Sequence, residues 1–132
     1  MACTGGDDLQ ERADRLTAID PGDLAHRIVD LASDKKAVDI VLLRTTEVTT
    51  MADYFVICTG RSDRQLQALA NGIMDDLRED GIRPLGVEGK GAARWVLLDY
   101  GAVIVHLFAP QEREYYGLER LWSHAAQVVR LV

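Results

Sequence analysis

The segment Tyr54-Phe55-Val56-Ile57-Cys58 is almost continuously apolar. A strand with one wet face alternates, so an unbroken run of this length reads as a central strand covered on both faces. Thr59-Gly60 ends it, and Ser62 with Gln65 has the spacing of a capping box that opens a helix. The inward stripe of that helix is Leu66, Leu69, Ile73 and Leu77, and Gly81 is placed to stop it.

Upstream, Asp20-Pro21-Gly22-Asp23 reads as a helix start. Asp20 can cap, Pro21 suits the first position and Asp23 complements the positive end of the helix dipole. Leu24, Ile28 and Leu31 follow at helical spacing, Lys35-Lys36 close the last turn, and Val38–Arg44 is a β-type run. Downstream, a short strand is expected over Pro84–Val87, then the loop Glu88-Gly89-Lys90-Gly91. Trp95–Asp99 and Val103–Phe108 are two strands joined at Tyr100-Gly101-Ala102, a hairpin signal. From Gln111 to about Gln127 the period is helical, with Tyr115, Leu118, Leu121, Trp122 and Ala125 on one side and Gly117 as an interruption.

The order α-β-β-α-β-β-β-α combines an antiparallel hairpin with a strand–helix–strand segment that invites a parallel crossover. The expectation is a single α/β domain over 20–123, a mixed five-stranded sheet flanked by helices. A flexible acidic leader is expected over 1–19 and a C-terminal tail over 124–132.

Charge narrows the partners. The chain carries 15 basic and 21 acidic residues, net −6. It lacks the Lys/Arg excess that displaces counterions from phosphates, so a direct, sequence-specific nucleic-acid clamp is disfavoured and a basic protein partner stays open. No apolar run approaches the roughly 20 residues that cross a bilayer, so no membrane partner is expected. The N-terminus from Met1 to Asp20 holds five acids (Asp7, Asp8, Glu11, Asp14, Asp20) against Arg12 and Arg15, the wrong sign for an organellar transit peptide. Cys3 and Cys58 make no disulfide framework, and a reduced cytoplasm is the expected compartment.

Sites for bond-making chemistry are sparse. Gly60-Arg61-Ser62 before a helix has the form of an anion site, with Arg61 or Arg64 adding charge, but a tight turn plus N-cap is the favoured reading. No Gly-Lys-Ser/Thr follows at Walker spacing, and Ser62 lacks the second glycine of a nucleophile elbow. Gly86, Gly89 and Gly91 run in the reverse order of a dinucleotide fingerprint. His26, His106 and His124 share no metal-ligand spacing. Alternation groups Ile104, His106 and Phe108 on one strand face, where His106 reads as a hydrogen-bonded structural or interface residue. Asp53 and Asp99 lie near strand ends, but no Asp-x-Asp pair occupies a strand, as a two-metal transferase would need. Catalytic residues, cofactor and metal are therefore all expected to be absent. Large aromatics instead gather in the last third, at Trp95, Tyr100, Tyr115, Tyr116 and Trp122. Such residues anchor protein interfaces, or cap a sheet.

Asp53-Tyr54-Phe55-Val56-Ile57-Cys58-Thr59-Gly60-Arg61-Ser62-Asp63-Arg64-Gln65-Leu66-Gln67-Ala68 resembles the first signature of the ribosomal silencing factor family, also called Iojap. Pro84-Leu85-Gly86-Val87-Glu88-Gly89 resembles the second. Trp95-Val96-Leu97-Leu98-Asp99-Tyr100-Gly101 and Val103-Ile104-Val105-His106 follow in order, then Glu112, Tyr116, Leu118, Glu119, Leu121 and Trp122 as the third. The resemblance implies a fold related to the nucleotidyltransferases without their catalytic carboxylates. It also implies binding to ribosomal protein L fourteen on the large subunit, which blocks joining of the small subunit and represses translation when nutrients are scarce. Organellar relatives are linked to large-subunit assembly, and free family members are often homodimers. Carried onto this sequence, the partner surface is Glu88, Trp95, Asp99, Tyr100, Tyr116, Glu119 and Trp122. Two positions depart from the family: Ala102 stands where an acid is usual after the hairpin glycine, and Arg94 where an acid is frequent.

Overall fold

The computed structural model describes residues 19–89 and 94–132. The acidic leader, apart from Ile19, lies outside the described residues, as do Cys3 and the Lys90-Gly91 part of the glycine loop.

Helix α1 spans Pro21–Asp34, and its start is capped as the sequence suggests: Asp20 Oδ2 accepts from the Asp23 N–H at 3.1 Å. A cap of this kind is worth about 1 kcal/mol. Strands β1 (Val38–Arg44) and β2 (Tyr54–Thr59) precede helix α2 (Asp63–Glu79). Ser62 Oγ accepts from the Gln65 N–H at 3.1 Å, while Gln65 Oε1 accepts from Arg61 N at 2.6 Å. The reciprocal bond of the capping box thus falls one residue early. Strand β3 is Gly86–Glu88, shifted from the expected Pro84–Val87, and β4 (Trp95–Asp99) and β5 (Val103–Phe108) form the hairpin. Helices α3 (Pro110–Tyr116) and α4 (Leu118–Leu121) lead to β6 (Ala126–Leu131).

The sheet order is β3-β4-β5-β2-β1-β6. Strands β2 and β5 pair in parallel at its centre, and every other pairing is antiparallel. The connection between the two parallel strands runs through α2, β3 and β4, so the helix returns to the sheet edge and not beside β2. Strand β2 is buried on both sides. Val56 and Cys58 join the core beneath α1 and α2, with the stripe Leu66, Leu69, Ile73 and Leu77, while Phe55 and Ile57 join a smaller cluster on the opposite face. Each fully buried side chain of this size contributes roughly 1.5–3 kcal/mol, so the helix-covered face holds most of the stability. Burial also pushes the Cys58 thiol up to about 12, leaving it an inert hydrophobe.

Two expectations are corrected. The sheet has six strands, not five, because the segment expected as a tail pairs along β1 as β6. The helix expected from Gln111 to about Gln127 is broken. Gly117, at φ +56°, ends α3 and resets the phase, so Tyr115 and Leu121 turn out to solvent while Leu118, Trp122 and Ala125 stay inward. Among the described residues no helix is long and apolar enough to cross a membrane.

Candidate protein-docking face

The face opposite α1 and α2 is covered, among the described residues, by the short C-terminal helices, the turn after them and Ala52 of the β1–β2 connection. Its composition follows from strand alternation. On β4, Val96 and Leu98 point into the main core, which leaves Trp95, Leu97 and Asp99 on the other side. Register then sets Glu88, Leu97, His106 and Ile57 in one row across β3, β4, β5 and β2. Trp95 and Phe108 form the next row, and Gly86, Asp99, Ile104 and Phe55 the one on the other side.

The rings on this face touch one another. The indole of Trp95 stacks on Phe108, centroids 5.0 Å apart at 28°, and lies 4.6 Å from Tyr116. Phe55 meets His106 edge-on at 5.0 Å and Trp122 edge-on at 5.3 Å. Trp95, Leu97 and Trp122 are half-buried, and Tyr116 is 49% exposed. Beside them a cleft of about 270 Å³ is lined by Glu88, Gly89, Trp95 and Leu97. Its wall demands a glycine: Gly89 has φ +83°, and a Cβ there would fall 2.1 Å from the Trp95 carbonyl oxygen. The result is a semi-exposed aromatic and aliphatic platform with two carboxylates, Glu88 and Asp99, along one flank.

The predicted partner residues divide. Glu88, Trp95 and Asp99 share the open face, and Tyr116 and Trp122 pack against it from α3 and the turn after α4. Asp99 also braces the hairpin, its Oδ1 accepting from Gly101 N at 2.8 Å. Tyr100 does not reach this surface. It is 2% exposed and belongs to the main core, with its hydroxyl pKa raised by burial. Glu119 sits elsewhere, in a charge cluster with Arg113, Arg130 and Asp39. Arg113 is 8% exposed and donates Nε to Glu119 Oε1 at 2.8 Å and Nη1 to Thr59 Oγ1 at 2.9 Å and to the Asp39 carbonyl. The hydrogen bond from Arg113 holds the Glu119 carboxyl below its ordinary range. A cavity of about 530 Å³ borders this cluster, lined among others by Thr59, Arg113, Glu119 and Arg120.

The enzyme-like turn at Gly60–Ser62 is occupied by structure. Ser62 caps α2, Gly60 N donates to the Phe108 carbonyl at 2.9 Å, and a Cβ on Gly60 would stand 3.0 Å from Leu66 Cα. Glycine is there so that the helix can approach the strand. Among the described residues no group of three or more His, Cys, Asp and Glu is placed to hold a metal ion. The departures are also placed. Ala102 works through its carbonyl, which accepts from Asp53 and Tyr54 N–H at 2.7 and 3.0 Å, and Arg94 pairs with Glu112 at 3.2 Å.

Sequence reasoning missed Leu97 and Arg113. Alternation from Trp95 flags Leu97, whereas a single arginine in a charged helix carries no sign that it will be buried.

A family model described as the ribosomal silencing factor during starvation, RsfS, matches residues 18–131. The chain belongs to the RsfS family. Ribosomal silencing factor RsfS of Bacillus subtilis (strain 168) is 50% identical over 92 residues, covering 70% of this chain and 78% of that protein. The crystal structure of a Chromobacterium violaceum protein matches with a TM-score of 0.77 at 33% identity, over 86% of this chain and 94% of that one. The Mus musculus protein named mitochondrial assembly of ribosomal large subunit protein 1 is 30% identical over 129 residues, 89% of this chain and 57% of that longer protein. The RsfS match runs through β6, and the motif resemblance is borne out at the level of family.

Proposed function

We propose that this RsfS-family chain silences translation by obstruction: it binds ribosomal protein L fourteen on the large subunit and keeps the small subunit from joining. The observation that carries this is the half-covered aromatic platform, with Trp95 at its centre and Glu88 and Asp99 on its flank. Large aromatics in a partly desolvated patch are the residues that dominate binding energy, and the acidic flank suits a basic ribosomal protein. A net charge of −6 adds long-range steering toward such a partner and away from bare RNA. The work needs affinity and bulk, not bond making, so no catalytic residue, cofactor or metal enters it. The cytoplasm is the compartment, nutrient limitation or stationary phase is the setting, and the free chain is a homodimer.

The test is sedimentation of purified subunits with and without the protein in molar excess. Joining should fall as the protein is added, and Trp95→Ala should restore joining while far-UV circular dichroism stays that of the wild type. Undiminished joining at saturating protein, or full silencing by a folded Trp95→Ala variant, would overturn the reading. A second reading, assembly of the large subunit, is favoured by the mouse relative, which is named for that process. It predicts immature large subunits on deletion during rich growth, which obstruction alone does not. A nucleotidyltransferase reading would instead require saturable nucleotide binding with Mg²⁺ in calorimetry.

A further inference from the structure

The only polar atom of the Trp95 side chain does not face water. The indole Nε1–H donates to Nδ1 of His106 at 3.3 Å, although the ring itself is only half-buried. His106 is 5% exposed, sits on the central strand β5, and is walled by Phe55 at 5.0 Å and by Phe108 in near-parallel stacking at 6.2 Å. Its ring therefore has no freedom to follow a moving partner. A half-exposed tryptophan ordinarily satisfies its N–H with solvent and samples several rotamers. Here stacking on Phe108 and Tyr116 restrains the indole laterally, but stacking leaves sliding and ring reversal open; a directional bond does not.

We propose that His106 is a positioning residue for Trp95: its Nδ1 accepts the indole N–H, fixes the rotamer, and leaves only apolar ring surface for a protein partner to meet. The bond requires the imidazole tautomer with its proton on Nε2, and Nε2 has no hydrogen-bond partner among the described residues. That unpaired donor marks the tautomer as imposed by the tryptophan, since no acceptor at Nε2 selects it. The docking half of this inference rests on the proposed function; the tether itself does not.

The spectroscopy uses the full chain with Trp122→Phe, which leaves Trp95 as its single tryptophan, and the binding measurements keep Trp122. His106→Leu removes the acceptor and keeps an apolar core side chain, whereas His106→Asn places an amide oxygen close to where Nδ1 lies. Near-UV circular dichroism and the solvent exchange of the indole N–H in NMR report on Trp95 directly. The expected result is a slowly exchanging N–H and an intense near-UV band, both lost in His106→Leu and recovered in His106→Asn. Binding to isolated large subunits should weaken about five- to tenfold in His106→Leu, the scale of one ordering hydrogen bond. A fast-exchanging indole N–H in the parent protein overturns the proposal, and so does a Trp95 signature unchanged by His106→Leu. If the signature responds as expected while Trp95→Ala itself binds subunits normally, the tether stands and the docking reading fails.

Discussion

Arg113 and Glu119 are joined by a 2.8 Å bond from Nε to Oε1, and the arginine in it is almost wholly buried. The pair links α3 to α4 across Gly117, the point at which the C-terminal helical segment breaks. Arg130 of β6 and Asp39 of β1 extend it, with contacts of 2.8 Å between Arg130 and Asp39 and 3.5 Å between Arg130 and Glu119. The cluster therefore fastens three separately folded pieces of the C-terminal third to the sheet.

This placement gives Glu119 a supporting role within the chain, beside the partner-surface role expected from the sequence. Arg113→Ala strands buried acceptors and should lower stability by about 3 kcal/mol, the usual cost of removing one partner from a buried pair. Glu119→Gln keeps one hydrogen bond and lies at the solvent-facing side, so about 1 kcal/mol is expected. Urea titrations measure both. Binding per folded molecule should be unchanged in Glu119→Gln, and a large fall in affinity without loss of stability would return Glu119 to the contact surface.

His106 makes stability depend on acid. Burial lowers its pKa from 6.5 to about 4. The unfolded chain takes up the proton first as pH falls, so the native state loses stability progressively from pH 6.5 down to about 4, and the loss then levels off. Its ceiling is about 3 kcal/mol, from roughly 1.4 kcal/mol per pKa unit. Glu119, held low by Arg113, adds its own loss as pH falls through the ordinary carboxylate value of 4.5, overlapping the end of the His106 window. Urea midpoints across the window should slope in the wild type and be flatter in His106→Asn. Parallel slopes in the two proteins would place the acid sensitivity elsewhere.

Strand β6 tests how the last segment is held. Its side chains are mostly exposed on both faces, so it contributes main-chain pairing to β1 more than apolar burial. Removing residues 124–132 uncovers the edge of β1, where Ile40, Val41 and Leu42 lie. An unpaired apolar edge recruits other chains. The truncated protein should melt several degrees lower and scatter light on concentration, with the hairpin β4–β5 still formed by NMR. Unchanged melting and solubility would mean that β6 is dispensable.

The legible parts of the fold were those fixed locally. Asp20 and Ser62 cap helices because short oxygen-bearing side chains reach the nearby N–H groups, and the run Tyr54–Cys58 is central because nothing polar in it needs water. The hairpin followed from Gly101 between two β-type runs. What was not legible depends on distant partners. Val128-Val129 is β-prone, but the helical spacing before it concealed the boundary until β1 offered a free edge. The aromatics of the site were legible as a group and not individually, since Tyr100 and Trp95 are both strand-flanking aromatics in sequence and only packing separates them. Register and packing, not composition, decide which of the two lies on the open face.

Tyr100 and Trp95 also supply the sharpest sorting of the docking face. Tyr100 is buried in the main core and its hydroxyl has no hydrogen-bond partner among the described residues. A buried hydroxyl without a partner costs folding free energy, so Tyr100→Phe should leave stability unchanged or raise it by up to about 1 kcal/mol. Because that hydroxyl is remote from the open face, affinity for the large subunit should stay within about twofold, less than 0.5 kcal/mol. Trp95→Ala should do the reverse. It removes a half-exposed ring, which costs less than the roughly 3–5 kcal/mol of a fully buried aromatic, yet it deletes the centre of the platform and should weaken binding at least tenfold, the scale of a hot-spot residue. Melting curves and subunit sedimentation on the two variants place each on a stability axis and a binding axis. Opposite displacement of the pair supports a docking face that is centred on Trp95 and excludes Tyr100. A Tyr100→Phe variant that keeps its melting temperature and loses subunit binding would move the contact surface over the hairpin turn.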